Sequence, residues 1–353
     1  MTDDIRLERR GAWGVVTLNR PKALNALNTQ MCAALDEALA KWSADDEVRA
    51  ILIEGEGEKA FCAGGDVRSV RDEAMSDPDS ATGFFRTEYR MNTRIHHLRK
   101  PYVALMDGVC MGGGVGVSAG ASHRVVTERT LWAMPECMIG LIPDVGASYH
   151  LKQLSGGMGN YLALTGVRMR GADCLTAGIA DTLVPSEDLP ALRETLLGLP
   201  LDKGDPSAAI SAAMPEHNPA DAGSTVHSVR DIDQHFTNIE SIPSLFAQLE
   251  ETGGAFGQGA LEKMRPASPT SLALTHRLLR DAPESFEDCI SREFDVVANI
   301  MRGHDLIEGV RAQLVDKDRE PKWQPADIAA VDEAALDGYF RTPPSGPLDL
   351  SGV

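Results

Sequence analysis

Apolar positions in this chain fall into two spacings. Residues 13–19 (W-G-V-V-T-L-N) and 48–53 (V-R-A-I-L-I) are dense in β-branched residues and predict strands. Between them, Thr29–Trp42 carries Met31, Leu35, Ala38, Leu39 and Trp42 at helical spacing. The same scheme returns at 102–106 (Y-V-A-L-M) and 124–127 (R-V-V-T), around a helix expected from Gly113 to Ser122. Strands alternating with helices predict an α/β fold. Gly83–Arg99 is amphipathic, with Phe84, Tyr89, Met91, Ile95 and Leu98 as its apolar members, and predicts a long helix running to Lys100-Pro101.

The pattern changes near residue 200. Asp205–Ser224 is rich in Pro, Ala, Asp and Ser and reads as a linker or exposed insertion. Beyond it the spacing is helical. Ser268-Pro269-Thr270 offers a cap for the Leu272–Leu279 run, and Phe286–Met301 places Ile290, Phe294, Val297 and Met301 on one stripe. This divides the chain into a core over 1–200, a linker or insertion over 201–265 and a helical region over 266–353. The last dozen residues, rich in Pro, Gly and Ser, are expected to fray.

Bulk chemistry narrows the function. A net charge of −18 argues against nucleic-acid binding, which needs a basic face. The six cysteines are scattered without a C-x-x-C pair, which points to a reducing cytoplasm rather than a disulfide or zinc scaffold. The opening M-T-D-D-I-R-L-E-R-R has no apolar signal core, and no apolar run is long enough to cross a bilayer. A soluble cytoplasmic protein with no membrane partner is expected; a mature organellar form fits the same features. The nine histidines show no metal-binding spacing, so no metal is expected.

Candidate chemistry is concentrated in the middle of the chain. Phe61–Asp66 reads F-C-A-G-G-D and Met111–Gly116 reads M-G-G-G-V-G, each after an apolar run. Glycine lets a backbone N–H approach a ligand oxygen unobstructed, and two such N–H groups aimed at one point form an oxyanion hole. Gly65 could present one of them, and Asp66 could cap the following helix. Met134–Asp144 (M-P-E-C-M-I-G-L-I-P-D) then supplies two carboxylates, Glu136 and Asp144. Pro143 interrupts any helix between them, so they can converge from a bent loop and divide acid–base work. Two other motifs are weaker. Gly116–Gly120 matches G-x-S-x-G, but Ser118 lies inside the expected helix rather than at its turn. Gly114-x-Gly116-x-x-x-Gly120 resembles a dinucleotide loop but lies far from the opening of the domain. By itself Glu88 reads as a solvent-facing partner for a basic neighbour.

Taken in order, these segments resemble the crotonase (enoyl-CoA hydratase/isomerase) superfamily. N-R-P-K-A-L-N-A-L at Asn19–Leu27 resembles its first CoA-binding loop, and F-C-A-G-G-D and M-G-G-G resemble its two oxyanion segments. Typical hydratases of that superfamily carry two glutamates; here the first of those positions is Gly116 and the second is Glu136. Phe85–Asn92, Met134–Gly146, Ser268–Leu272 and Met301–Trp323 resemble a thioesterase branch, the 3-hydroxyisobutyryl-CoA hydrolase family of valine catabolism, over nearly the whole chain.

The resemblance implies a spiral of β-β-α turns with a helical C-terminal region, and hydrolysis of a short, branched 3-hydroxyacyl-CoA. It assigns the oxyanion hole to Gly65 and Gly113. Glu136 is implied to act on the carbonyl carbon, as nucleophile or as general base, and Asp144 to hold or deprotonate water. Glu88 is implied to bind the 3-hydroxyl. Lys22, Ala23, Leu24, Ala63 and Gly64 match positions that contact coenzyme A. Coenzyme A is part of the substrate, and no separate cofactor is implied. Members of the superfamily often form trimers or hexamers, so a homo-oligomer is allowed.

Overall fold

The computed structural model describes residues 3–215 and 229–353. Among these residues, ten strands form two sheets. The larger runs β1(Ile5–Arg10)-β2(Trp13–Leu18)-β3(Ala50–Gly55)-β5(Tyr102–Met106)-β7(His123–Val126)-β10(Thr182–Leu183). The smaller runs β4(Ala60–Cys62)-β6(Val109–Met111)-β8(Leu131–Ala133)-β9(Met169–Arg170). From β2 onward the large sheet is parallel, as are β4, β6 and β8 in the small one.

Chain order explains the architecture. β3 and β4, β5 and β6, and β7 and β8 each place one strand in each sheet, followed by a helical segment at Val67–Ser76, Gly113–Gly116 and Glu136–Ile139. This repeated β-β-α unit is the spiral expected. Register aligns Cys62 with Cys110 and Cys110 with Trp132, so the carboxyl ends of β4, β6 and β8 lie side by side. Adjacent strands lie ~4.8 Å apart, which brings together whatever follows each of them.

β2, β3, β5 and β7 occupy nearly the spans expected, whereas β1, an edge strand of largely polar residues, was not expected. The short strands of the small sheet were not predicted: at three residues they carry no alternation to read. The helix expected over Gly113–Ser122 is a single turn, Gly113–Gly116, followed by turns. Its glycines hold helix weakly, and the Ser118 hydroxyl donates to Gly114 O at 2.8 Å, competing with the backbone ladder. That bond also leaves Ser118, 1% exposed, unlike a nucleophile at an exposed turn. Asp66 begins the Val67–Ser76 helix without a side-chain capping bond and instead pairs with Arg20 at 3.2 Å.

Residues 201–265 divide into distinct parts. Pro206–Ala213 is a helix, residues 216–228 of the expected linker lie outside the described residues, and helices follow at Val229–Phe236, Ile242–Thr252 and Gly254–Met264. Ile232, Phe236, Leu245, Leu249 and Leu261 join the main hydrophobic cluster of the core. The Pro, Asp and Ser content that suggested a linker partly marks helix starts. Asp205 accepts from Ser207 N and Ser241 Oγ from Ser244 N, each ahead of a proline in the first turn. Ser268 caps Pro269–Arg280 as expected.

The terminal residues do not fray. Arg86, Arg90 and Arg94, one turn apart on the Pro78–His96 helix, donate to the carbonyls of Ser345–Pro347, of Asp349 and Ser351, and of Gly352. Polar composition implied solvation, whereas these carbonyls found cationic donors on a helix face.

The turns of the spiral are packed without slack. A Cβ on Gly114 would lie 2.2 Å from Cys62 O, so Gly114→Ala forces β4 and the following turn apart. We expect that variant to lose about 1–3 kcal/mol of unfolding free energy, read as a lower urea midpoint; an unchanged midpoint would show that the turns can separate freely.

Candidate active site

Gly65 follows β4, Gly113 follows β6 and Glu136 follows β8, so the spiral gathers all three at one end of the small sheet. Parallel sheets open their ligand crevices at this carboxyl end. A cavity of about 600 Å³ lies there, lined among others by Ala63, Gly65, Glu88, Gly113, Glu136 and Asp144.

The backbone at Gly65 is set by its neighbour. Leu27 N–H donates to Gly64 O and Asp66 N–H to Leu27 O, a parallel bridge that turns Gly65's own N–H to the opposite side. Gly113 is the first residue of its helical turn, where N–H groups have no partner within the helix. Among the described residues neither amide donates to a protein acceptor. They are neighbours: a Cβ on Gly113 would sit 3.3 Å from Gly65 N.

Three acids surround this pair. A Cβ on Gly112 would meet Glu136 Oε1 at 3.0 Å, and one on Gly113 would meet Glu88 Oε1 at 2.5 Å. Both carboxyls therefore flank the same turn, and a side chain at Gly113 would displace the Glu88 carboxyl. Glu88, Glu136 and Asp144 are 2%, 5% and 4% exposed, which sets Glu88 apart from the solvent-facing role its local sequence suggested. The signal for it was available: Phe84, Met91 and Ile95 place position 88 on the apolar stripe of the Pro78–His96 helix. Among the described residues, both oxygens of Glu136 and one of Glu88 have no hydrogen-bond partner. Asp144 Oδ2 accepts from the Tyr89 hydroxyl at 2.5 Å. Tyr89 was missed from sequence as a member of the site, since as an apolar helix residue it showed no sign of it.

Burial dominates the electrostatics. It pushes Glu88 and Glu136 well above the carboxylate range, and their negative neighbours, Asp144 first, push the same way. Asp144 is raised by burial to about 7, with the Tyr89 hydroxyl opposing the shift. Cations among the lining residues lie only at the mouth: Arg168 and Arg319, both exposed, and neither in an ion pair among the described residues. Arg319, with Gln313 and Leu314, comes from the distant Met301–Trp323 segment, which carries part of the family resemblance, though that resemblance assigns none of the three a role. Arg68, one turn beyond Gly65, donates to Leu314 O and Arg71 to Ile307 O, fastening that segment over the cavity.

The coenzyme-binding candidates divide. Ala63 lines the cavity, and Gly64 is buried beside the Gly112–Gly113 turn. Lys22, Ala23 and Leu24 are exposed outside its lining, joined to it where Ala63 N–H donates to Leu24 O at 3.0 Å.

Comparison with known proteins shows the family. A profile describing enoyl-CoA hydratase/isomerase matches residues 13–340. The chain belongs to that family. It is 43% identical to the mitochondrial 3-hydroxyisobutyryl-CoA hydrolase of Gallus gallus, covering 98% of this chain and 90% of the relative. The Homo sapiens protein of the same name is 41% identical over 96% of this chain and 89% of its own. Among solved structures, a carnitinyl-CoA dehydratase from Mycobacterium thermoresistibile superimposes with a TM-score of 0.91 at 38% identity, covering all of both chains. An enoyl-CoA hydratase from Rhodobacter sphaeroides gives 0.87 at 35% identity, covering 98% of this chain and all of the other. The family, the α/β crotonase fold and its helical C-terminal region are those expected from the sequence.

The raised acids make a signed prediction for stability. A carboxyl with a higher pKa in the folded than in the unfolded state binds its proton more tightly when folded. Its stabilising effect is full below the unfolded value and is lost as pH rises through the folded one. For Asp144 that window runs from about 4 to about 7. Unfolding free energy is expected to fall between pH 4 and 7, and Asp144→Asn to flatten the decline; equal slopes in urea titrations would place Asp144 in a solvated setting.

Proposed function

We propose that this chain hydrolyses 3-hydroxyisobutyryl-CoA, or a closely similar short 3-hydroxyacyl-CoA, to the free acid and coenzyme A. The observation that carries the reading is at Gly116. A Cβ there would lie 2.8 Å from both Asn92 Nδ2 and Val145 Cβ, so the position where the family's hydratases hold their first glutamate is filled. Asp144 lines the same cavity as Glu136, leaving two acids in a pairing other than the two-glutamate one of the hydratases. The relatives named above as hydrolases, similar over nearly their full length, support the same choice.

In this reading the thioester oxygen lies between the N–H groups of Gly65 and Gly113, which stabilise the charge that develops when the carbonyl is attacked. Glu136 acts on the carbonyl carbon, either attacking it to form an anhydride that water then opens, or taking a proton from the attacking water. Asp144 holds that water, and its elevated pKa suits it to exchange a proton near neutrality. The thiolate leaves readily because thiols are comparatively acidic, with a pKa near ~8.5. Glu88 accepts a hydrogen bond from the 3-hydroxyl. Coenzyme A enters as part of the substrate, and no metal or separate cofactor takes part. The guanidinium groups of Arg168 and Arg319 at the mouth suit the phosphates of coenzyme A, offsetting the acidic balance of the chain.

No helix among the described residues is long and apolar enough to cross a membrane. All six cysteines are free and buried, which fits a reducing compartment. The curated relatives are named mitochondrial, so the cytoplasm expected from sequence draws no support from them.

A thiol-release assay across a panel of acyl-CoA substrates tests the proposal. Turnover of 3-hydroxyisobutyryl-CoA, with no loss of the enoyl absorbance of crotonyl-CoA in the presence of water, is expected; the reverse pattern would replace hydrolysis by hydration. Glu136→Gln should lower thiol release by roughly 10²- to 10⁴-fold with the fold intact, and full activity in it removes Glu136 from the chemistry. Arg319→Ala should raise KM for the CoA thioester but not for the pantetheine thioester, which lacks the nucleotide phosphates.

A further inference from the structure

Glu293 is a fully buried carboxylate in the Phe286–Ile300 helix and takes no part in the reaction described above. Its Oε2 accepts from Gly146 N–H at 2.7 Å, and its Oε1 from Ser148 N–H at 2.7 Å and the Ser148 hydroxyl at 2.5 Å. All three donors belong to the segment directly after Asp144. No cation pairs with Glu293 among the described residues. The titratable groups that interact with it are Asp144, Tyr89 and Cys289.

The segment needs holding. Val145 has φ +57°, a left-handed conformation rare for a β-branched residue, and Gly146 follows at φ +85°. Such a residue persists only where its surroundings over-determine it. Three donors converge on this one carboxyl group; burial raises its pKa to about 8, and the bonds from Ser148 and Gly146 oppose that shift. The same helix supports the other side of Asp144: Phe294 packs edge-on against Tyr89, with centroids 6.2 Å apart, and Tyr89 donates to Asp144. Phe286 leaves no room for a Cβ at Gly146.

We propose that Glu293 is a positioning residue, which clamps the strained Val145–Gly146 turn and thereby presents the Asp144 carboxyl to the attacking water. The inference rests on the role given to Asp144 in thioester hydrolysis. Glu293 touches no substrate; it acts through the turn.

The test compares Glu293→Gln, Asp144→Asn and the double variant, measuring kcat and KM for thiol release from 3-hydroxyisobutyryl-CoA together with thermal midpoints. The glutamine keeps the shape but turns an N–H toward one of the three donors. We expect Glu293→Gln to lower kcat about ten- to a hundredfold, the scale of a small misplacement, with little change in KM. In the Asp144→Asn background the same replacement should leave kcat within about twofold, because residues that act as a unit are not additive. Should the glutamine variant not fold, Ser148→Ala removes one donor only and should show the same dependence on Asp144. An unchanged kcat in the folded variant, or an equal loss in both backgrounds, overturns the proposal. Full activity in Asp144→Asn alone instead overturns the role of Asp144, and with it the basis of the inference.

Discussion

The site depends on one constraint, the side-by-side ending of β4, β6 and β8. Three short parallel strands, with one register shift between Ala60 and Cys62, fix the points from which Gly65, Gly113 and Glu136 depart, and hydrogen-bond spacing leaves those points little freedom. The geometry of the candidate site is thus inherited from backbone pairing rather than assembled by side chains. Tight contact between turns, as at Gly114 and Cys62, keeps the spiral from opening.

Into that frame the rest of the chain delivers acids. The Pro78–His96 helix brings Glu88 and Tyr89, and the loop after Pro143 brings Asp144. Gathering three carboxyls in a mostly buried cavity is costly, and raised pKa values are how the molecule accommodates it. The C-terminal helices are part of this arrangement. They share one hydrophobic cluster with the spiral, and the Phe286–Ile300 helix reaches the active-site loop directly.

What could be read from sequence follows from the range of each signal. Long strands such as β2 and β5 and the apolar helix stripes have enough residues to show their period, and the glycine turns stand out by composition. The small sheet has strands too short to show one, although it carries the site. Glu88 was legible as helical; its basic neighbours suggested exposure, the family resemblance implied contact with substrate, and its place on the stripe of Phe84, Met91 and Ile95 accounts for its burial. Arg319 and Glu293 act across more than a hundred residues of chain, and only the folded contacts connect them to Gly65 and Asp144. The roles of Gly65, Gly113, Glu136 and Asp144 came from family resemblance; what the structure adds is their common cavity.

The crowding at Gly116 also bears on ancestry. A glutamate placed there would collide with Asn92 and with Val145, and Val145 is held where it is by the turn that presents Asp144. Moving from this arrangement to a two-glutamate one therefore requires Asn92 and Val145 to give way together with the change at Gly116. Relatives with nearly the same backbone can thus be separated by an evolutionary barrier that percentage identity does not reveal.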